Sequence, residues 1–142
     1  MNRVVIRHGL KNLPEAIDIR SEVFIKEQGY VHEFDETDQT ADEAVVYCDK
    51  IPVATGRMFP KEQAEGTYII GRIAVLKEYR KQHLGSYLIA KFEEKAKKMQ
   101  ANEIELSAQM QAKPFYERIG YESCGEIYLD EDRPHICMKK KL

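Results

Sequence analysis

Residues 68–75 read YIIGRIAV, apolar at nearly every position, and a strand of that kind has to be covered on both faces. Strict alternation would leave one wet face. Near-continuity instead asks for a central place in a sheet with elements packed above and below it. The spacing then changes. From about Gln82 to Met99, the residues Leu84, Leu88, Phe92, Ala96 and Met99 mark one face of a helix, with lysines and glutamates opposite. A buried strand that turns through a basic segment into an amphipathic helix restricts the chain to an α/β architecture.

The remaining segments extend that frame. Residues 3–7 (RVVIR) predict a strand. Asn12 to about Gln28 predict a helix capped by Asn12, with Pro14 and Glu15 in its first turn and Leu13, Ala16, Ile17, Val23 and Phe24 as its apolar stripe. An acidic stretch follows over 29–43, read as a solvated loop. Residues 44–48 and 51–59 form a strand pair turning at Asp49-Lys50. Further strands fall at 103–107, about 121–128 and 134–140. A short helix at 113–119 starts at Pro114 and stops at Gly120. The order β-α-β-β-β-α-β-α-β-β predicts a mixed central sheet of about seven strands flanked by three to four helices. With 142 residues and no repeat or linker, the chain is expected to be a single domain over 1–142.

Composition removes several function classes. Charged residues make up 32% and the net charge is −2, unlike the basic balance of proteins that track nucleic-acid phosphates. No apolar run is long enough for a membrane span, and the first ten residues lack an apolar signal core, so a cytoplasmic location is expected. Cys48, Cys124 and Cys137 lie far apart in the sequence. They are read as reduced thiols acting as small hydrophobes, with no metal-ligand pair. Lys139-Lys140-Lys141 are read as solubilising charges.

The chemistry concentrates in Ile69 to Ser86. The basic turn Arg80-Lys81-Gln82-His83-Leu84-Gly85 opens a helix, whose first turn carries unpaired N–H groups and partial positive charge. Such an end accepts a phosphate, and Gly85 allows close approach. A solvated basic turn would look the same.

A second segment, Gln109-x-x-Ala112-x-x-Phe115-Tyr116-Glu117-x-x-Gly120-Tyr121, gives the first its meaning. Together they resemble the GNAT superfamily of acyl-CoA-dependent N-acetyltransferases, which follow a central strand with Q/R-x-x-G-x-G/A and later show N-x-x-A-x-x-F-Y-x-x-x-G-F. Val23-Phe24-Ile25-Lys26-Glu27-Gln28, Leu106-Ser107-Ala108-Gln109 and Pro134-His135-Ile136-Cys137-Met138 are similar to the ElaA-like branch, itself related to glucosamine-phosphate N-acetyltransferases. Two positions depart from the pattern: His83 stands at the first glycine and Gln109 at the asparagine.

The resemblance implies acetyl-CoA as co-substrate and no metal; a small-molecule amine is the expected acceptor, with a protein N-terminus or lysine as the alternative, and an exposed edge from the C-terminal strands makes a homodimer reasonable. It implies that the pyrophosphate is held by Arg80, Lys81, Gln82, His83, Leu84, Gly85 and Ser86. It places the acyl oxygen and pantetheine against the backbone of Ile73, Ala74 and Val75, with Gln109 and Phe115 completing the cofactor contacts. Tyr116 is implied as the acid that protonates the leaving thiolate. For the base that frees the amine, Glu27, Glu33 and His135 stand as candidates. The rival readings are a catalytically silent CoA-binding sensor or interaction module on the same fold, and a dinucleotide oxidoreductase, which lacks its Gly-rich fingerprint after the first strand.

Overall fold

The computed structural model describes residues 1–142. Its seven strands are β1 (Asn2–His8), β2 (Asp42–Cys48), β3 (Ile51–Pro60), β4 (Thr67–Val75), β5 (Glu103–Gln109), β6 (Glu122–Asp130) and β7 (Arg133–Lys141). Three α-helices accompany them: α1 (Glu15–Arg20), α2 (Leu84–Lys98) and α3 (Lys113–Arg118). The strands form one mixed sheet in the order β1-β2-β3-β4-β5-β7-β6, which puts the apolar β4 in the middle, as its composition requires. The predicted order and fold class hold. The chain forms two compact units, Met1–Phe59 with Ile70–Phe92, and Pro60–Ile69 with Glu93–Leu142.

In the first unit, β2 and β3 turn at Asp49 and Lys50, both with positive φ (50° and 76°), the geometry that matches the twist of a tight hairpin. Gly56 on β3 is a close-approach site. A Cβ there would lie 2.5 Å from Ile73, 3.1 Å from Leu88 and 3.2 Å from Phe92. Any larger residue would push α2 away from the strands that it covers. Leu13, Ala16, Ile19, Val23 and Phe24 pack with Val45 and Tyr47.

The first helical segment departs from expectation. Asn12 does not cap it; its side-chain amide donates to the His8 carbonyl (2.7 Å) and closes the turn after β1. Pro14 stands at the helix start, and after Arg20 the helix widens into a π-helical stretch, Ser21–Glu27. Ile17, assigned to the stripe, is 37% exposed, while Arg20 is fully buried in its place.

In the second unit, β4 pairs in parallel with β5 over Thr67–Ile69, and β7 lies antiparallel to both β5 and β6. Tyr121 is buried, and its hydroxyl donates to Glu93 (2.7 Å). Lys140 is not a solubilising charge. Its ammonium reaches Glu93 (3.1 Å) and the Ile119 carbonyl (2.9 Å) and sits over the Tyr121 ring. Cys124 and Cys137 are likewise not remote hydrophobes: they are direct cross-strand partners on β6 and β7, each half-buried.

Candidate active site

The first unit carries the strand–turn–helix. The carbonyl of His83 accepts the N–H of Tyr87 (3.0 Å), so α2 begins there, and the N–H groups of Leu84, Gly85 and Ser86 precede any intrahelical acceptor. Ser86 Oγ donates to the His83 carbonyl (3.0 Å). Lys81, Gln82 and His83 are exposed, and both Lys81 (φ 66°) and His83 (φ 61°) take the left-handed conformation. At His83 the backbone asks for what glycine supplies without cost, the reason a glycine stands in the pattern at that position. Consecutive N–H groups without an intrahelical acceptor, at the start of a 15-residue helix, form a donor set of the kind that suits a phosphate.

Arg80 serves this turn from the inside. Its Nε donates to the Val75 carbonyl (2.9 Å), and its two terminal nitrogens grip Glu27 Oε2 and Oε1 at 2.6 and 2.7 Å. The bidentate pair ties the end of the π-helical stretch to the end of β4. The hydrogen bond from Arg80 also holds the Glu27 carboxyl below its ordinary range, which makes Glu27 a weak proton acceptor.

On β4 the residue before Ile73, Ala74 and Val75 is Arg72, and its φ of 54° is a left-handed residue inside a strand. Such a residue kinks a strand and re-aims the backbone groups that follow. Arg72 is anchored at this point: its Nε donates to the Glu33 carbonyl (3.1 Å) and stands 3.1 Å from Glu33 Oε2.

Glu33 thereby belongs to a buried charge cluster, not to a solvated acidic loop. Arg20 lies at its centre. Its Nε donates to Glu33 Oε2 (2.8 Å), Nη1 to Asp38 Oδ1 (2.6 Å) and Glu43 Oε1 (3.4 Å), and Nη2 to Asp38 Oδ2 (3.1 Å). Arg57 Nη1 reaches Asp35 (2.7 Å) and Asp38 (2.9 Å). Asp35 and Asp38 form a capping box for the turn Glu36–Gln39.

Three guanidiniums (Arg20, Arg57, Arg72) here meet four carboxyls (Glu33, Asp35, Asp38, Glu43), an excess of one acid that favours a retained proton on the most buried carboxyl. Glu43 is that group. It is fully buried, its Oε2 receives no hydrogen bond, and burial pushes its carboxyl up to about 8. Burial also raises Glu33. Asp38 goes the other way: burial is outweighed by hydrogen bonds from Arg20 and from the Asp35 amide, which bring it down to about 2.

The sequence reading missed this cluster, although one signal was present. Ala16, Arg20 and Phe24 follow at intervals of four, which puts an arginine on the apolar face of α1.

The second unit carries the other predicted residues. Tyr116, on α3, is buried, and burial alone pushes its phenol up to about 12, so it keeps its proton at neutral pH. Phe115 and Tyr121 meet its ring edge-on at 5.0 and 6.0 Å. Gln109 ends β5, and its side-chain oxygen accepts from Gln111. His135 is buried on β7, with Nδ1 2.8 Å from the Arg133 carbonyl and the ring stacked on Tyr128.

A strand that leads through a basic turn into the start of a long helix is the arrangement that acyl-CoA-dependent acyltransferases use to receive a phosphate. The chain belongs to the acetyltransferase (GNAT) domain family, whose pattern matches residues 12–142. The uncharacterized N-acetyltransferase YjcF of Bacillus subtilis (strain 168) is 36% identical over 141 residues, covering 97% of this chain and 99% of that one. Two crystal structures align with 99% of the chain. Escherichia coli ElaA does so at 25% identity and a TM-score of 0.87, and an acyl-CoA N-acyltransferase from Pseudomonas aeruginosa at 27% and 0.85; each is itself 99% covered. The ElaA-like resemblance is thus supported at the level of the family and its structures.

Proposed function

We propose that residues 1–142 work as one catalytic domain that moves the acetyl group of acetyl-CoA directly onto the primary amine of a small molecule. The observation that carries this reading is the exposed, left-handed turn Lys81–His83 that opens α2. A turn of this kind supports phosphate binding by backbone N–H groups, and Arg80 is spent on holding the turn to β4.

Acetyl-CoA supplies an activated thioester. Lys81, Gln82 and His83, with the N–H groups of Leu84, Gly85 and Ser86, bind its pyrophosphate, and Gln109 and Phe115 contribute further contacts. The backbone N–H groups of Ile73, Ala74 and Val75, re-aimed by the kink at Arg72, receive the pantetheine and the acyl oxygen as it gains negative charge. As the amine's C–N bond forms and the C–S bond breaks, Tyr116 gives its proton to the departing sulfur. The amine must first lose a proton. Glu27, Glu33 and His135 are the groups proposed for that task, with Glu27 the weaker base because Arg80 holds its carboxyl below the ordinary range.

A thiol-release assay with acetyl-CoA against amino sugars (including glucosamine phosphate), polyamines and amino acids tests the reading. Turnover with at least one small amine is expected. Binding of acetyl-CoA with no release across the panel would favour the silent module.

A further inference from the structure

Cys124 and Cys137 occupy a place that neither the acyl-transfer reading nor the motifs account for. They are direct partners in the antiparallel β6–β7 ladder, and their sulfurs stand 2.7 Å apart. Directly opposed residues in such a ladder have Cα atoms about 4.5–5.5 Å apart, inside the span that a disulfide bridges without backbone movement. Both are half-buried, and neither is joined in a disulfide. The ladder also loses register right after Cys124, resuming at Tyr128, which gives the strand slack at that point.

We propose that Cys124 and Cys137 form an oxidisable dithiol, a modification site that a low-molecular-weight disulfide converts to an intramolecular disulfide. The step balances by two exchanges. One protein thiolate attacks the small disulfide, forming a mixed disulfide and releasing one small thiol; the second protein thiol loses its proton, attacks the protein sulfur and releases the other. Two electrons and two protons pass to the small disulfide. Burial and the neighbouring Cys124 thiol push the Cys137 thiol up, and whichever sulfur attacks first, the other stands beside it to resolve the mixed disulfide. Cys48, on β2 and donating to Asn2, stays outside the pair.

The test uses the full chain, reduced, desalted and exposed to glutathione buffers of rising oxidised fraction. Free thiols should fall from three to one. The peptides carrying Cys124 and Cys137 should be joined, two hydrogens lighter, and closed to alkylation, while Cys48 still alkylates. Cys137→Ser should stall as a glutathione adduct on Cys124, and Cys124→Ser as one on Cys137. Three free thiols at every ratio, or separate adducts on both cysteines without a cross-link, would overturn the proposal.

Discussion

Glu43 offers a direct measurement of the buried charge cluster. Its carboxyl titrates near 8 in the folded chain and near 4.5 when unfolded. Between those values the folded chain holds a proton that the unfolded chain has released, so stability falls as pH rises through this window. The slope is at most about 1.4 kcal/mol per pH unit, which gives a ceiling of about 5 kcal/mol. Entry of water and rearrangement around the ionised group bring the expected loss to about 2 kcal/mol.

Glu43→Gln keeps the shape, still accepts from Arg20, and gives the position facing Asp38 a permanent N–H donor in place of a titrating one. Asp38 cannot imitate the effect. Its carboxyl is lowered to about 2, so its contribution is complete above about 4 and is lost only as pH falls through 2. Urea unfolding of both proteins from about pH 5 to 8.5 checks this. The two should agree within about 1 kcal/mol at pH 5, and the variant should be more stable by about 2 kcal/mol at pH 8.5. Parallel curves, or a variant destabilised throughout, would refute the protonated Glu43.

Three further outcomes concern the proposed chemistry. Tyr116→Phe keeps the ring against Phe115 and removes the proton, so kcat should drop by about 10²–10⁴ with acetyl-CoA affinity unchanged by calorimetry. Gly85→Asp puts an anion in the first turn of α2, so acetyl-CoA binding should weaken at least about tenfold while Tm holds or rises, since acidic residues suit a helix start. His83→Gly should relax the left-handed residue, raising stability by about 0.5–1 kcal/mol without weakening acetyl-CoA binding; His83→Ala, which keeps the Cβ, should give no such gain.

The parts of the fold that local spacing encodes were legible. The apolar run of β4, the helical period of α2, the turn at Asp49-Lys50 and the Pro114–Gly120 bracket around α3 each lie within a single window of sequence. The basic turn that opens α2 was legible for the same reason. What local spacing cannot carry is pairing at a distance. Arg20, Arg57 and Arg72 find their acids 13 to 39 residues away, so the acidic stretch gave no sign of being buried. The left-handed Arg72 was equally hidden, because nothing in a strand pattern separates a kinked residue from its neighbours. Asn12 was misassigned as a cap because an amide before a helix can equally well serve the strand end behind it.

The π-helical stretch after Arg20 makes the number of residues there a quantity of its own. In regular α-helix, Arg20 and Glu27 would lie about two turns apart on the same face. At about 4.4 residues per turn the same seven steps carry Glu27 to the opposite side. One segment therefore sends Arg20 into the buried acids and Glu27 out to Arg80. The widening has the arithmetic of a single inserted residue, so a one-residue deletion here would act as a frame error in space, leaving every side chain present but aiming one of the two charges at the wrong partner.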